Sequence, residues 1–151
     1  MIGSNPPRTS GVRTLNRAAK ASLILDFDSF SLTNLISVPT HSTGEISALA
    51  AEEEAWIQSR SQLVEALSES SGVLLAYGIG APTGPARHHH ADQIAWLQNE
   101  IERRSLPTWT VGGQPRHPSR WQRFTHRKYP GIDFDAALSL SLCDGTLHET
   151  A

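Results

Sequence analysis

Apolar positions along the chain follow two patterns, one with helical spacing and one of short continuous runs. Residues 1 to 11 read as the stub of a strand running into a turn rich in Ser, Asn, Pro and Gly. A short helix is predicted from about Val12 to Ala21. Strand character follows from Phe30 to Ile36, and Pro39 keeps that strand from running on. From Glu45 to Ser70, Ile46, Leu49, Trp56, Ile57, Leu63, Val64 and Leu67 recur near helical spacing until Gly72. Gly72 to Gly78 is a continuous apolar run ending in glycine, the pattern of a buried central strand. A third helix is predicted from Ala91 to Arg104, with Ile94, Trp96, Leu97 and Ile101 on its apolar face. Thr108 to Val111 makes another strand and leads into a proline-stiffened loop over 112–121. The tail from Phe134 to Leu142 fits a final helix.

Alternation of strand and helix predicts an α/β fold, a three-layer α/β/α arrangement around a mostly parallel four-stranded sheet. The expected organisation is one domain over 1–151, with the core in 2–128 and a tail from 129 onward. Ligands in such folds bind beyond the carboxyl ends of the strands. The polar segments 3–11, 34–41, 78–87 and 112–121 all lie at or past predicted strand ends, so they are expected on one rim.

Charge sharpens that expectation. The net charge of −2 hides a stretch from Arg103 to Lys128 with seven Arg or Lys and no acid, in which Trp109, His117, Trp121, Phe124 and His126 are interleaved. Arg8, Arg13, Arg17 and Lys20 repeat the asymmetry near the start. A locally basic face suits a polyanion, although a solvated basic loop would have the same composition. No apolar run approaches the roughly 20 residues of a membrane span. Cys143 is the only cysteine, so no disulfide framework is expected and the chain reads as soluble and cytoplasmic. The triplet His88-His89-His90 does not read as a metal site, because adjacent residues cannot all face one ion; it is expected to be exposed or close to nucleic acid. Gly78-Ile-Gly80 is too short for a dinucleotide fingerprint.

Four segments then stand in an informative order: Gly3-Ser-Asn-Pro-Pro7, Leu32-Thr-Asn-Leu35, Leu75-Ala-Tyr-Gly78 and Arg116-His-Pro-Ser119. In order and approximate spacing they resemble the motifs of the uracil-DNA-glycosylase superfamily. The chain from residue 2 to about 121 is also similar to a bacterial and phage domain family with an Asn-Pro opening and a closing Gly-x-Pro-Arg-His-Pro motif. The resemblance implies a monofunctional DNA glycosylase that needs no cofactor and no metal, flips a modified base out of DNA, and leaves an abasic site.

On that resemblance, Asn5 would hold the attacking water and His117 would donate to the departing base, where negative charge develops. Asn34 would read the base edge, since an amide offers both donors and acceptors. Gly3, Ser4 and Tyr77 would line the base site. The stacking aromatic has no single counterpart, and Phe27, Phe30 and Trp121 are the candidates. Ser119 and the following amides would clamp a phosphate, and Arg120 and Trp121 occupy the place of a duplex wedge. Arg8, Arg116, Arg123, Arg127 and Lys128 would bind DNA, flanking phosphates included. Gln114 and Arg116 add polar groups that a plain uracil pocket would not need. They raise the expectation of a larger substrate, such as a glucosylated hydroxymethylcytosine of phage DNA excised in antiviral defence. The expected partner is therefore DNA, bound by a monomer away from membranes. The competing class is a nucleic-acid- or nucleotide-binding module that keeps the fold without catalysis. Each motif taken alone has a structural reading as well: Asn-Pro-Pro as a turn, His-Pro as a stiff loop, Tyr77 as core.

Overall fold

The computed structural model describes residues 1–3, 11–36 and 52–145. The chain runs β1 (Ile2–Gly3), α1 (Val12–Ile24), β2 (Thr33–Asn34), α2 (Glu53–Ser68), β3 (Val73–Leu74), α3 (Ala86–Arg103) and β4 (Thr108–Val111). A 3-10 turn (Pro118–Arg120), α4 (Trp121–Lys128), α5 (Phe134–Ser141) and β5 (Leu142–Asp144) complete it. No helix among the described residues is long and apolar enough to cross a membrane.

Strand β3 divides the interior. Val73, Leu75 and Tyr77 pack with Trp56, Leu63, Leu67, Leu97 and Ile101 of α2 and α3. Leu74 and Ala76 pack with Ala21, Val111, Trp121 and Leu138, on the side of α1, α4 and α5. The two-residue period of a strand sends successive side chains to opposite faces. A continuous apolar run is therefore what a strand covered by helices on both faces requires. The α/β class follows directly.

The sheet differs from the expected four parallel strands. β1 and β2 form a separate parallel pair, with Ile2 opposite Thr33 and Gly3 opposite Asn34. β3 and β4 are parallel, Val73 opposite Thr108, and β5 joins β4 antiparallel, Thr110 opposite Cys143. Leu142 follows α5 directly, so the chain returns along β4 without the crossover that a parallel neighbour needs. Three residues are too few to show a strand's alternation in sequence, and β5 was not legible for that reason. The predicted strand over Phe30 to Ile36 contributes only Thr33 and Asn34 to a ladder.

Two helices also depart from expectation. α3 begins at Ala86, so the three histidines lie inside its first turns. α4 begins at Trp121, the last residue of the predicted loop, and fills a stretch to which the sequence pattern assigns no element. Its buried positions, Trp121 and Thr125, are four apart, and polar residues fill the outer face. The predicted helix over Glu45 to Ser70 is present from Glu53, and its first part lies outside the described residues.

Candidate functional site

Parallel register puts the carboxyl ends of β3 and β4 side by side, and the loop after β4 folds back over both. Gly112 starts that return at φ +67, a left-handed conformation that favours glycine. It also leaves no room for a side chain, since a Cβ there would lie 2.2 Å from the Phe124 ring. Beyond it, Val111 and Gln114 pair as an antiparallel bridge, and the Gly78 N–H donates to the Pro115 carbonyl at 2.6 Å. The strand end at Tyr77-Gly78 is thus tied to the residues just before His117. A Cβ on Gly78 would find the His117 Cβ as its nearest neighbour, 4.0 Å away.

His117 caps the 3-10 turn with its own side chain. Its Nδ1 accepts the Ser119 backbone N–H at 3.2 Å and lies 2.9 Å from the Ser119 hydroxyl. With Nδ1 accepting, the neutral ring carries its proton on Nε2. Burial pulls the His117 pKa below its ordinary value, and the nearby Arg120 and Arg17 charges act in the same direction. Protonation would also turn Nδ1 into a donor facing a backbone N–H. The result is a half-buried imidazole, biased to the neutral form, whose Nε2–H has no hydrogen-bond partner among the described residues.

The turn is anchored from two sides. The Trp121 indole N–H donates to the Arg116 carbonyl at 2.7 Å, and the indole is fully buried. From α1, the buried Arg17 donates to the Pro118 carbonyl through Nη1 and to the Gln122 Oε1 through Nη2 at 2.9 Å. Arg17 and Gln122 were missed as site residues. One signal was present: Arg17 shares the inward face of its helix with Ala18 and Ala21, an odd place for a cation.

Just past β2, Leu35 and Ile36 are buried in the same cluster as Val73, Leu75 and Tyr77. There Gln93, fully buried on α3, donates to the Leu35 carbonyl at 2.9 Å and the Trp56 carbonyl at 3.0 Å. Its own oxygen accepts from Arg60 Nε at 2.9 Å. This amide fixes the backbone immediately after Asn34. Asn34 itself is half-buried, and among the described residues nothing hydrogen-bonds its side chain. Gly3 is its ladder partner. Asn5, Ser4 and Arg8 lie outside the described residues.

Several expectations need correction. Trp121 cannot be a duplex wedge or a stacking platform, because its ring is fully buried and its N–H is spent on Arg116. The Ser119 amide donates to His117, the Arg120 amide to the His117 carbonyl and the Trp121 amide to the Pro118 carbonyl, so none is left for a phosphate clamp. The Ser119 hydroxyl likewise serves His117. Tyr77 is core: its ring meets His90 edge-on and burial pushes its pKa up to about 12.

Phe27 lies at the opposite end of the strands. It stands edge-to-face with Trp109, and both rings line a cavity of about 410 Å³ with Phe30 and Gly72. Gly72 precedes β3 whereas Gly78 follows it, a separation of roughly 20 Å along an extended chain. Phe27 and Phe30 are therefore on the wrong rim to stack on a base beside His117. The histidine triplet divides: His88 pairs with Asp92 at 3.2 Å, while His90 is buried between Trp56 and Tyr77, contrary to an exposed tract.

The basic run is not one face either. Helix α3 carries the chain from the carboxyl end of β3 back to the start of β4, so Arg103 and Arg104 sit at the amino-end rim. Both bond Glu100, Arg103 at 2.9 Å, and these bonds pull the Glu100 pKa below its usual range. Arg116 stacks over Phe124 at 4.1 Å, with Lys128 near the same ring at 5.7 Å. Arg120, at the end of the 3-10 turn, and Arg123 and Arg127, on the outer side of α4, remain exposed at helical spacing.

A family model described as "Protein of unknown function (DUF1643)" matches residues 2–119, which takes in β1, Asn34, Gly78, His117 and Ser119 and stops before Arg120. No curated protein and no solved structure matches the chain.

Proposed function

The chain belongs to the DUF1643 family, and from that premise we propose that it is a DNA glycosylase that hydrolyses the N-glycosidic bond of a modified base. The observation that carries this reading is the state of His117: its pKa lowered by burial, Nδ1 occupied by Ser119, and Nε2–H without a partner among the described residues. In glycosidic hydrolysis the C1′–N bond breaks with its electron pair leaving on the base, and water oxygen bonds C1′ and releases a proton to solvent. The departing base becomes anionic and takes a proton afterwards. A fixed neutral donor aimed at the base oxygen stabilises that anion without first surrendering a proton. Asn5 is the proposed water holder and Asn34 the proposed reader of the base edge, at a strand end that Gln93 rigidifies. Arg120, Arg123 and Arg127 supply the phosphate contacts that Ser119 and its neighbours do not.

The substrate class we favour is a hypermodified cytosine of phage DNA, such as its glucosylated hydroxymethyl form, with excision serving defence. Incubation with DNAs carrying uracil, thymine mismatches, hydroxymethylcytosine and glucosylated hydroxymethylcytosine, scored for alkali-labile abasic sites, tests both levels. Abasic sites in the glucosylated DNA alone are expected, falling on the order of 10²–10³ in His117→Ala and disappearing in Asn5→Ala. Equal action on modified and unmodified DNA would remove the defence reading.

The exposed arginine stripe favours a second reading, a binding module without catalysis. It predicts DNA affinity that depends on Arg120, Arg123 and Arg127, no abasic sites on any substrate, and indifference to Asn5→Ala.

A further inference from the structure

We propose that Arg17 of α1 is a positioning residue for His117: its guanidinium clamps the Pro118–Arg120 turn and so fixes the orientation and tautomer of the imidazole that caps it. The inference rests on the reading of His117 as the donor at the rim, but its geometry stands apart from any substrate. Arg17 is only 9% exposed, and among the described residues its two hydrogen-bond partners, the Pro118 carbonyl and the Gln122 amide oxygen, are both neutral. The Phe134 ring lies under the cation at 5.7 Å. Burying a cation without a carboxylate is unfavourable, and fold stability alone would be served as well by an apolar side chain of similar volume. The planar fork of arginine accounts for the choice. Two donors in fixed geometry hold the carbonyl next to His117 and the first turn of α4 at once, which a single ammonium cannot do.

The same placement acts on charge. The charged groups facing His117 are Arg17 from α1 and Arg120 from the turn itself, with Arg13 standing behind Arg17. The turn adds the Ser119 hydroxyl, and the end of the β3 run adds Gly78, which carries no charge. Among the described residues no carboxylate acts on the ring, so both neighbouring charges oppose the imidazolium. Arg17 thus joins two functions, holding the ring's orientation and holding its protonation state.

Nitrogen-15 and carbon-13 NMR titration of the histidine rings, with His117 assigned from a His117→Gln variant, tests this in the intact chain. The wild type is expected to show an Nε2–H tautomer and a His117 midpoint below the ordinary histidine value. In Arg17→Met the midpoint moves up. In Arg17→Lys, which keeps the charge and loses the fork, the midpoint stays low but the tautomer population becomes mixed. Turnover on DNA, where present, falls roughly ten- to a hundredfold in both through kcat with KM little changed. A folded Arg17→Met with an unmoved midpoint overturns the proposal, as does an Arg17→Lys identical to wild type in tautomer and turnover. Should Arg17→Met not fold, Gln122→Ala removes one arm from an exposed position, and an unchanged His117 tautomer there counts against the clamp. Wild-type chain without turnover, combined with the expected titration shifts, would reject the glycosylase reading and keep the clamp.

Discussion

At the carboxyl ends of β3 and β4 the chain is held by polar contacts that converge on one turn: Gly78 to Pro115, Trp121 to Arg116, Arg17 to Pro118, Ser119 to His117. At the amino ends the same strands open onto a cavity of about 410 Å³ lined by the Phe27, Phe30 and Trp109 rings together with Ser22, Ser29 and Ser31, where backbone bonds run from the Phe27 N–H to the Ser22 carbonyl and from the Val73 N–H to the Pro107 carbonyl. The ends share their strands and differ in what orders them. Directional bonds orient the His117 ring, whereas the packing of Phe27 against Trp109 chiefly fills volume. A group that must donate to a developing charge belongs at the first end.

The largest effects expected from this contrast are on stability. Trp121→Ala removes a fully buried indole and strips the Arg116 carbonyl of its donor, a loss of about 3–5 kcal/mol in urea unfolding. Phe27→Ala, half-buried at an existing cavity, should lose only about 1–2 kcal/mol. Equal losses would mean that the two ends are equally ordered. Next come the glycines. Gly72→Ala brings a Cβ to 2.4 Å from Trp109, an overpacking cost of about 1–3 kcal/mol. Gly112→Ala adds left-handed strain of about 1–2 kcal/mol to a 2.2 Å clash with Phe124, a ring that Arg116 already covers. It should be the worse of the two and should also disturb the His117 NMR signals, which Gly72→Ala leaves in place.

How far the sequence reveals this contrast depends on the range of the interaction. The apolar run from Val73 to Tyr77 marks the central strand, and helical spacing marks α1, most of α2, α3 and α5, because burial of one face is a local periodic signal. The return of β5 and the split between two ladders depend on pairings that leave no period in three residues. Motif order suffices to put His117 and Asn34 at strand ends. Arg17 is legible only as a misplaced cation, since its partners stand 101 and 105 residues away. Phe27 and Trp121 enter the sequence reading by residue type alone, and type does not tell which end of a strand, or which face of α4, an aromatic occupies. The basic run likewise carries charge without direction: α3 turns its first two arginines to the far rim.

A smaller effect is set by pH. Burial lowers the pKa of both His90 and His117 relative to the unfolded chain, with Arg120 and Arg17 adding at His117. At neutral pH both states are uncharged at these rings and nothing is lost. As pH falls below the unfolded value near 6.5, the unfolded chain takes up protons first, so stability declines until the folded pKa values are passed. The urea midpoint should therefore drop between about pH 7 and 5, less steeply in His90→Gln. Under the glycosylase proposal, turnover should hold level through the upper part of that window, because the neutral His117 persists below its ordinary pKa. A rate that climbs as pH falls would identify the imidazolium as the active form and break the assignment of His117 as a neutral donor.

The smallest expected effects come from single surface charges, and they separate the two ends by salt rather than by stability. Arg123 and Arg127 project from the outer face of α4 beside the His117 turn, while Arg103 and Arg104 hold Glu100 at the other rim. Removing one phosphate-binding cation reduces the slope of log affinity against log salt by about 1. Arg123→Ala and Arg127→Ala should each do so on duplex or single-stranded DNA, and Arg103→Ala should leave the slope as it was. If Arg103→Ala flattens the slope by the same amount, nucleic acid reaches both rims and the basic run acts as one surface after all. If only the α4 arginines count, the polyanion lies across the end of the molecule where His117 is held.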